Sequence, residues 1–348
     1  MARIVRVAAC QMGPNQRADS RAHTLGRMIA LVEQAAQQGA ELAVFPELPF
    51  TTFFPRWPLE EEGELLSYFE PAMPNPNVQP LFDRARELGI GLHVGYAELD
   101  RAAFEDGAVR RRGYNTAILV GRDGAILGKY RKVHLPGSEQ VKPGQRYQQL
   151  EKRYFAYGDL GFPAFHAFGG IIGMLICNDR RWPEGWRCLA LQGAEMVLVG
   201  YNSAAYDPNG GESESEELRT FHSTLAAQAN AYMNACWAVA VAKAGVEDGA
   251  GLIGGSCIVD PNGLVVAHAK TLAADVVELL LAGDVAVFVH PTDDVNRDGL
   301  AIEAHARITT TAPTARCWPG PDVARRVMAT IDHFDARHDL GPDALSPA

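Results

Sequence analysis

Short apolar runs alternate with helical segments over the first two hundred residues, and this alternation most limits how the chain can fold. Residues 4–10, 42–45, 91–97, 116–120 and 171–176 are rich in apolar side chains and read as strands. Residues 22–38 place Leu25, Met28, Ile29, Val32 and Ala36 at helical spacing and stop at Gly39, while 80–88 read as a short helix. Strands alternating with helices to about Val199 define an α/β chain. Its 348 residues suffice for one large domain or two smaller ones, and with no repeat, low-complexity tract or linker a single domain is expected.

Beyond Val199, residues 201–217 read as a loop, 216–234 as a helix and 237–242 as a strand. Residues 256–259 and 264–267 form a hairpin through Asp260-Pro261-Asn262-Gly263. Asp123-Gly124 is a tight turn before Ile126-Leu127, and a charged hairpin-like segment surrounds Asp106-Gly107. From about residue 273 the character changes: 285–289 read as a strand and 321–333 as a helix, with Asp, Arg, Thr and Ala between them.

Several function classes are disfavoured. A net charge of −10 without a long basic block argues against a nucleic-acid partner. No apolar run approaches the roughly 18 residues of a membrane span, and the N-terminus lacks a signal-peptide core, so no membrane partner is expected. The six cysteines (Cys10, Cys177, Cys188, Cys236, Cys257 and Cys317) show neither CxxC nor finger spacing. A reduced, cytoplasmic protein without metal or other cofactor is the expectation.

The chemistry centres on Cys177-Asn178-Asp179-Arg180-Arg181-Trp182-Pro183-Glu184. A strand ending on Cys177 before a helix that Pro183 opens presents its sulfur at a sheet edge, near backbone N–H groups. Those donors favour a thiolate and suit an oxyanion. Arg180 and Arg181 add a fork-shaped anion site. The stretch also reads as a core cysteine beside a solvated charge cluster, and on its own it leaves both readings open. A thiol acting on an amide-type carbon needs a base and a positive group at the tetrahedral oxygen. Glu47 follows the strand at 42–45 among Phe45, Leu48 and Phe50, where partial desolvation raises a carboxyl pKa; a solvated strand-end glutamate is the alternative. Lys132 lies between Arg131 and Val133, either pointing inward or belonging to a wet basic cluster.

These motifs stand in one order: F-P-E at Phe45-Pro46-Glu47, K-Y-R-K-V-H-L-P-G at 129–137 and C-N-D-R-R-W-P-E at 177–184. The sequence thereby resembles the nitrilase (carbon–nitrogen hydrolase) superfamily. The runs at 51–57, 150–155 and 158–163 resemble N-carbamoyl-D-amino acid amidohydrolases within it. The resemblance covers residues 1–272 as one hydrolase domain and leaves 273–348 as an atypical tail. It implies a four-layer α-β-β-α sandwich with Glu47 as general base, Lys132 as oxyanion stabiliser, Cys177 as nucleophile and Glu151 as a supporting carboxylate. It further implies Arg180 and Arg181 as a carboxylate clamp, Asn202, His134 and His222 near the substrate, and Asn178 as an oxyanion donor. The implied substrate is a small N-carbamoyl amino acid of the D form, the alternatives being another amidase, a nitrilase, a β-ureidopropionase or an inactive relative acting in assembly, and the implied assembly is a homo-oligomer (dimer or tetramer). The sequence departs from the pattern at Gln149, where relatives carry a histidine, and after Leu272, where their D-L-D, F-N-F and H-R-x-P-x-x-Y-G segments are missing. The tail composition is of the kind a shifted reading frame in a GC-rich gene produces.

Overall fold

The computed structural model describes residues 5–100, 113–206 and 214–269, and the backbone of three strands beyond them. In the first sheet β1 (Arg6–Gln11) runs parallel to β2 (Leu42–Val44). Helix α1 (Arg21–Gln37) makes the crossover, capped by the Ser20 hydroxyl, which accepts from the His23 N–H. The short helix α2 (Glu62–Ser67) and strand β3 (Phe69–Glu70) precede α3 (Gln79–Glu87). Then β4 (Gly91–Leu99) adds in parallel to β2, and β5 (Gly113–Val120) and β6 (Ile126–Arg131) add antiparallel. After the single-turn helix α4 (Glu151–Tyr154), the second sheet is built from β7 (Ala164–Ala167), β8 (Gly170–Ile176) and β9 (Met196–Tyr201), with α5 (Pro183–Leu191) between the last two. Helix α6 (Glu216–Asn234) leads to β10 (Trp237–Ala242), which lies parallel to β9. A separate hairpin, β11 (Ala244–Glu247) and β12 (Ala250–Ile253), precedes β13 (Cys257–Val259) and β14 (Val265–His268).

Residue parity explains why the sheets stack. On the first sheet Val7, Ala9, Leu42, Val44, Ala117 and Leu119 face the second sheet and share its core. Their neighbours Ala8, Cys10, Ala43, Ile118 and Val120 face outward, against Leu25, Met28 and Val32 of α1 and Leu81 and Phe82 of α3. Strands β8, β9 and β10 are apolar on both faces because α5 and α6 cover their far side, packing Trp186, Leu189, Ala227 and Ala231. The result is the expected mixed α/β sandwich of helices, two sheets and helices. Gly200 of β9 lets the sheets touch where it matters. A Cβ there would lie 2.9 Å from the Glu47 nitrogen and the Pro46 carbonyl carbon, so only hydrogen fits.

The alternation-based elements recur with ends moved by at most three residues, and the 260–263 hairpin turn joins β13 and β14. Past residue 272, Val276–Leu281 (β15) pairs antiparallel with β1, and Ala286–His290 (β16) pairs with β15, matching the strand expected at 285–289. Ile302–Glu303 (β17) pairs with β16. The segment around 106–107 and the helix expected at 321–333 lie outside the described residues.

Candidate active site

Strand β8 delivers Cys177 to the start of a tight 3-10 turn, Cys177–Arg181, in the left-handed region at φ +48°. A non-glycine residue pays strain there and stays only if its surroundings hold it. Two side chains of the same turn do so. Asp179, fully buried, turns back on the strand end: Oδ2 accepts from the Ile176 N–H at 3.1 Å and the Tyr130 hydroxyl at 2.7 Å. Its Oδ1 accepts from the His134 N–H at 2.8 Å and lies 2.9 Å from His134 Nδ1. On the other side Arg180 Nη1 donates to the Cys177 carbonyl at 2.7 Å, and Nη2 donates to the Ser203 and Ser223 hydroxyls at 3.0 and 3.1 Å. Its guanidinium also stacks over Tyr201, 4.5 Å from the ring centre.

Glu47, Lys132 and Glu151 are brought together from the end of β2, the end of β6 and the first residue of α4, all essentially inaccessible to solvent. Lys132 Nζ donates to Glu47 Oε1 at 2.7 Å and to Glu151 Oε2 at 2.6 Å. Asn115, on β5, donates through Nδ2 to the same Glu47 oxygen at 2.8 Å and to Glu151 Oε2 at 3.3 Å. The second oxygens, Glu47 Oε2 and Glu151 Oε1, have no hydrogen-bond partner among the described residues.

Two carboxylates share one ammonium out of water, so their charges cannot all persist unchanged. Burial alone would lower the Lys132 pKa, but the adjacent Glu151 and Glu47 outweigh it and hold the ammonium well above its ordinary range. Burial pushes Glu151 up to about 7; Lys132 opposes the shift and the nearby Glu47 charge adds to it. Burial also raises the Cys177 thiol, Glu47 raises it further, and Lys132 and Arg180 pull it down. The resting thiol therefore holds its proton at neutral pH, and a base must remove it before it can attack.

Cys177 opens onto a cavity of about 140 Å³, with Asn178, Arg180, Arg181 and Asn202 in its wall beside Phe53, Arg56, Tyr147, Gln149 and Tyr206. The structure separates the residues expected around the substrate. Arg180 is buried: both Nη atoms are occupied, one of them on the Cys177 carbonyl, and its Nε has no hydrogen-bond partner among the described residues. Arg181 lines the cavity, and its guanidinium makes no hydrogen bond or ion pair among the described residues. His134 does not line the cavity: its ring is drawn to Asp179 and stacked between Phe162 and Trp182. Nor does His222, an exposed residue of α6 whose Nδ1 lies 2.6 Å from Glu214. Gln149 is in the wall.

Sequence reasoning missed Asn115, Asp179 and Arg56. Asn115 carried a usable signal, sharing the parity of inward-facing Ala117 and Leu119. No local pattern marks the others. Among the described residues no cluster of His, Cys, Asp and Glu has the arrangement of a metal site, and no helix is long and apolar enough to cross a membrane.

Two packed sheets closing over a thiol, an ammonium and two carboxylates are an architecture for hydrolysing carbon–nitrogen bonds, and comparison with known proteins agrees. The chain belongs to the carbon-nitrogen hydrolase family, whose model matches residues 6–282. It is 31% identical over 273 residues to a nitrilase of Pyrococcus abyssi, covering 78% of this chain and 88% of that protein. It is 33% identical over 196 residues to an N-carbamoylputrescine amidase of Solanum tuberosum, covering 56% and 58%. It is 30% identical over 194 residues to a citrullinase of Francisella tularensis, covering 56% and 60%. The chain thus spans less than two thirds of the latter two. An amidase from Nesterenkonia sp. AN1, solved with a covalent adduct on its active-site cysteine, superposes with a TM-score of 0.61 at 23% identity, covering 80% of this chain and 90% of that one. A carbon-nitrogen hydrolase from Helicobacter pylori G27 superposes with a TM-score of 0.64 at 22% identity, covering 79% and 88%. These two establish the fold.

Proposed function

We propose that this hydrolase cleaves N-carbamoyl amino acids, of the D form, to the free amino acid, ammonia and carbon dioxide. The observation that carries the reading is the Arg181 guanidinium in the wall of the cavity that holds Cys177, without a hydrogen bond or ion pair among the described residues. A guanidinium matches a carboxylate, which a simple nitrile or monoamide lacks. Relatives named N-carbamoylputrescine amidase and citrullinase point by those names to ureido substrates, as proposed here. The D preference follows the resemblance of the motifs.

In the proposed reaction Glu47 takes the Cys177 proton on its free Oε2, and the thiolate forms a bond to the carbamoyl carbon. Lys132 and the Asn178 N–H bear the oxyanion, and Glu151 keeps Lys132 in place. The C–N bond breaks as Glu47 returns the proton to the departing amine. A water then gives a proton to Glu47 and its oxygen to the S-carbamoyl carbon; the C–S bond breaks, Glu47 returns the proton to the Cys177 sulfur, and the carbamic acid released decomposes to ammonia and carbon dioxide. No cofactor enters this route. Ammonia release from N-carbamoyl-D-amino acids, set against the L forms and against Cys177→Ala, tests the reading. Turnover by Cys177→Ala, or none by the unaltered protein, would refute it.

The protein is further proposed to work as a cytoplasmic homo-oligomer, dimer or tetramer. No disulfide joins the described cysteines Cys10, Cys177, Cys188, Cys236 and Cys257, which suits a reducing compartment. On α6, Leu218, Phe221, Leu225, Tyr232 and Met233 are exposed, more apolar surface than a lone helix usually leaves in water. Light scattering of the unaltered protein and of Leu225→Glu tests the assembly, which should dissociate in the variant.

A further inference from the structure

We infer that Arg56 is a positioning residue that fixes the side-chain amide of Asn202 to donate to the substrate carboxylate, an inference that rests on the N-carbamoyl amino acid reading. Arg56 closes the 3-10 turn Phe54–Arg56 and is buried. Its Nη1 donates to Glu247 Oε1 at 2.9 Å, and that same oxygen accepts from the Phe53 N–H at 2.8 Å. The other Glu247 oxygen accepts from Lys243 Nζ at 2.9 Å and the Asn15 N–H at 3.0 Å. Glu247 is thereby held from both sides, and Arg56 with it.

The second arm of Arg56 reaches the cavity. Nη2 donates to Asn202 Oδ1 at 3.2 Å. A guanidinium has donors only, so the amide must turn its oxygen toward Arg56 and its NH2 away. That Nδ2 is buried and has no hydrogen-bond partner among the described residues, and Asn202 lines the cavity with Cys177. A buried donor without an acceptor is costly, so a ligand that brings an oxygen is favoured. Arg181 in the same wall makes a carboxylate the fitting oxygen. Without Arg56 the amide is free to rotate, and its oxygen would repel the carboxylate.

If Arg56 acts through Asn202, their substitutions cannot add. KM and kcat for N-carbamoyl-D-alanine are to be measured in Arg56→Leu, Asn202→Leu, the double variant and Asn202→Asp, with thermal melting of each. Arg56→Leu and Asn202→Leu should each raise KM about tenfold or more, the usual effect of losing a hydrogen bond to a charged group, with kcat within about threefold. The double variant should be no worse than Asn202→Leu. Asn202→Asp keeps an oxygen facing Arg56 while removing the donor, so it should melt like the unaltered protein yet show the raised KM. Additive losses, an unchanged KM in Arg56→Leu or an unchanged KM in Asn202→Asp would each overturn the inference. Absence of ammonia release by the unaltered protein would count against the functional reading instead. The cycle is then scored on protection of Cys177 from iodoacetamide by the same acid: protection lost in the variants supports the inference, and equal protection or none at all overturns it.

Discussion

The Arg180 guanidinium donates to the Cys177 carbonyl at 2.7 Å, so a residue of the cavity wall holds the backbone at Cys177. With two serine hydroxyls on its other arm, it joins the turn after β8 to the residues after β9 and to α6. Arg180→Leu leaves these acceptors facing an apolar side chain. It should cost about 2–4 kcal/mol in urea unfolding and slow alkylation of Cys177, since the thiol loses a nearby positive charge. A fully stable variant that alkylates at the original rate would show that Arg180 has no such role.

The left-handed backbone at Cys177 makes a second prediction. Cys177→Ala and Cys177→Gly both remove the sulfur, and neither should release ammonia. Glycine alone accepts φ +48° without steric cost, so Cys177→Gly should be the more stable of the two by about 1 kcal/mol. Chemical denaturation of the pair decides it, and the opposite order would mean the turn is not strained.

Glu151 links the site to pH. Its folded pKa, about 7, lies above the ordinary carboxylate value of 4.5, so across that interval the folded protein binds a proton that the unfolded chain has released. Its contribution to stability is full at low pH and is lost as pH rises from about 4.5 to about 7. Glu151→Gln should flatten this part of the stability–pH curve relative to the unaltered protein, measured by denaturant midpoints at each pH. It should also lower kcat, because Lys132 loses one of the two carboxylates that hold it.

Gly200→Ala tests the contact between the sheets. The new methyl would meet the backbone of Pro46 and Glu47 at about 2.9 Å, and backbone cannot swing aside as a side chain can. A stability loss of about 1–3 kcal/mol is expected. A fall in kcat of about tenfold or more should accompany it, because Glu47 moves with its backbone. Undiminished kcat would show that Glu47 tolerates the displacement.

Elements with strong periodicity were legible in the sequence. The helix at 22–38 and the strand at 171–176 are set by local side-chain patterns that burial then enforces. Glu47, Lys132 and Cys177 were legible only through motif likeness, since their meeting depends on β2, β6 and β8 ending at one place. Parity would have placed Asn115 on the inner face, but no local signal says that two glutamates wait there. Arg180 and Arg181 are adjacent and chemically identical. The first is buried among Tyr201, Ser203 and Ser223, all distant in sequence, which no local pattern announces. The same holds for His134, whose ring answers to Asp179 and Trp182 rather than to the cavity.

The close approach at Gly200 carries a consequence for the nascent chain. Glu47, Asn115 and Lys132 belong to the first sheet, whereas Cys177 and its braces belong to the second. During synthesis β1 to β6 emerge ahead of Cys177, while β15, which pairs with β1, follows it. The sulfur meets Glu47, the base proposed to take its proton, only when the halves dock, so the finished fold is what joins thiol to base.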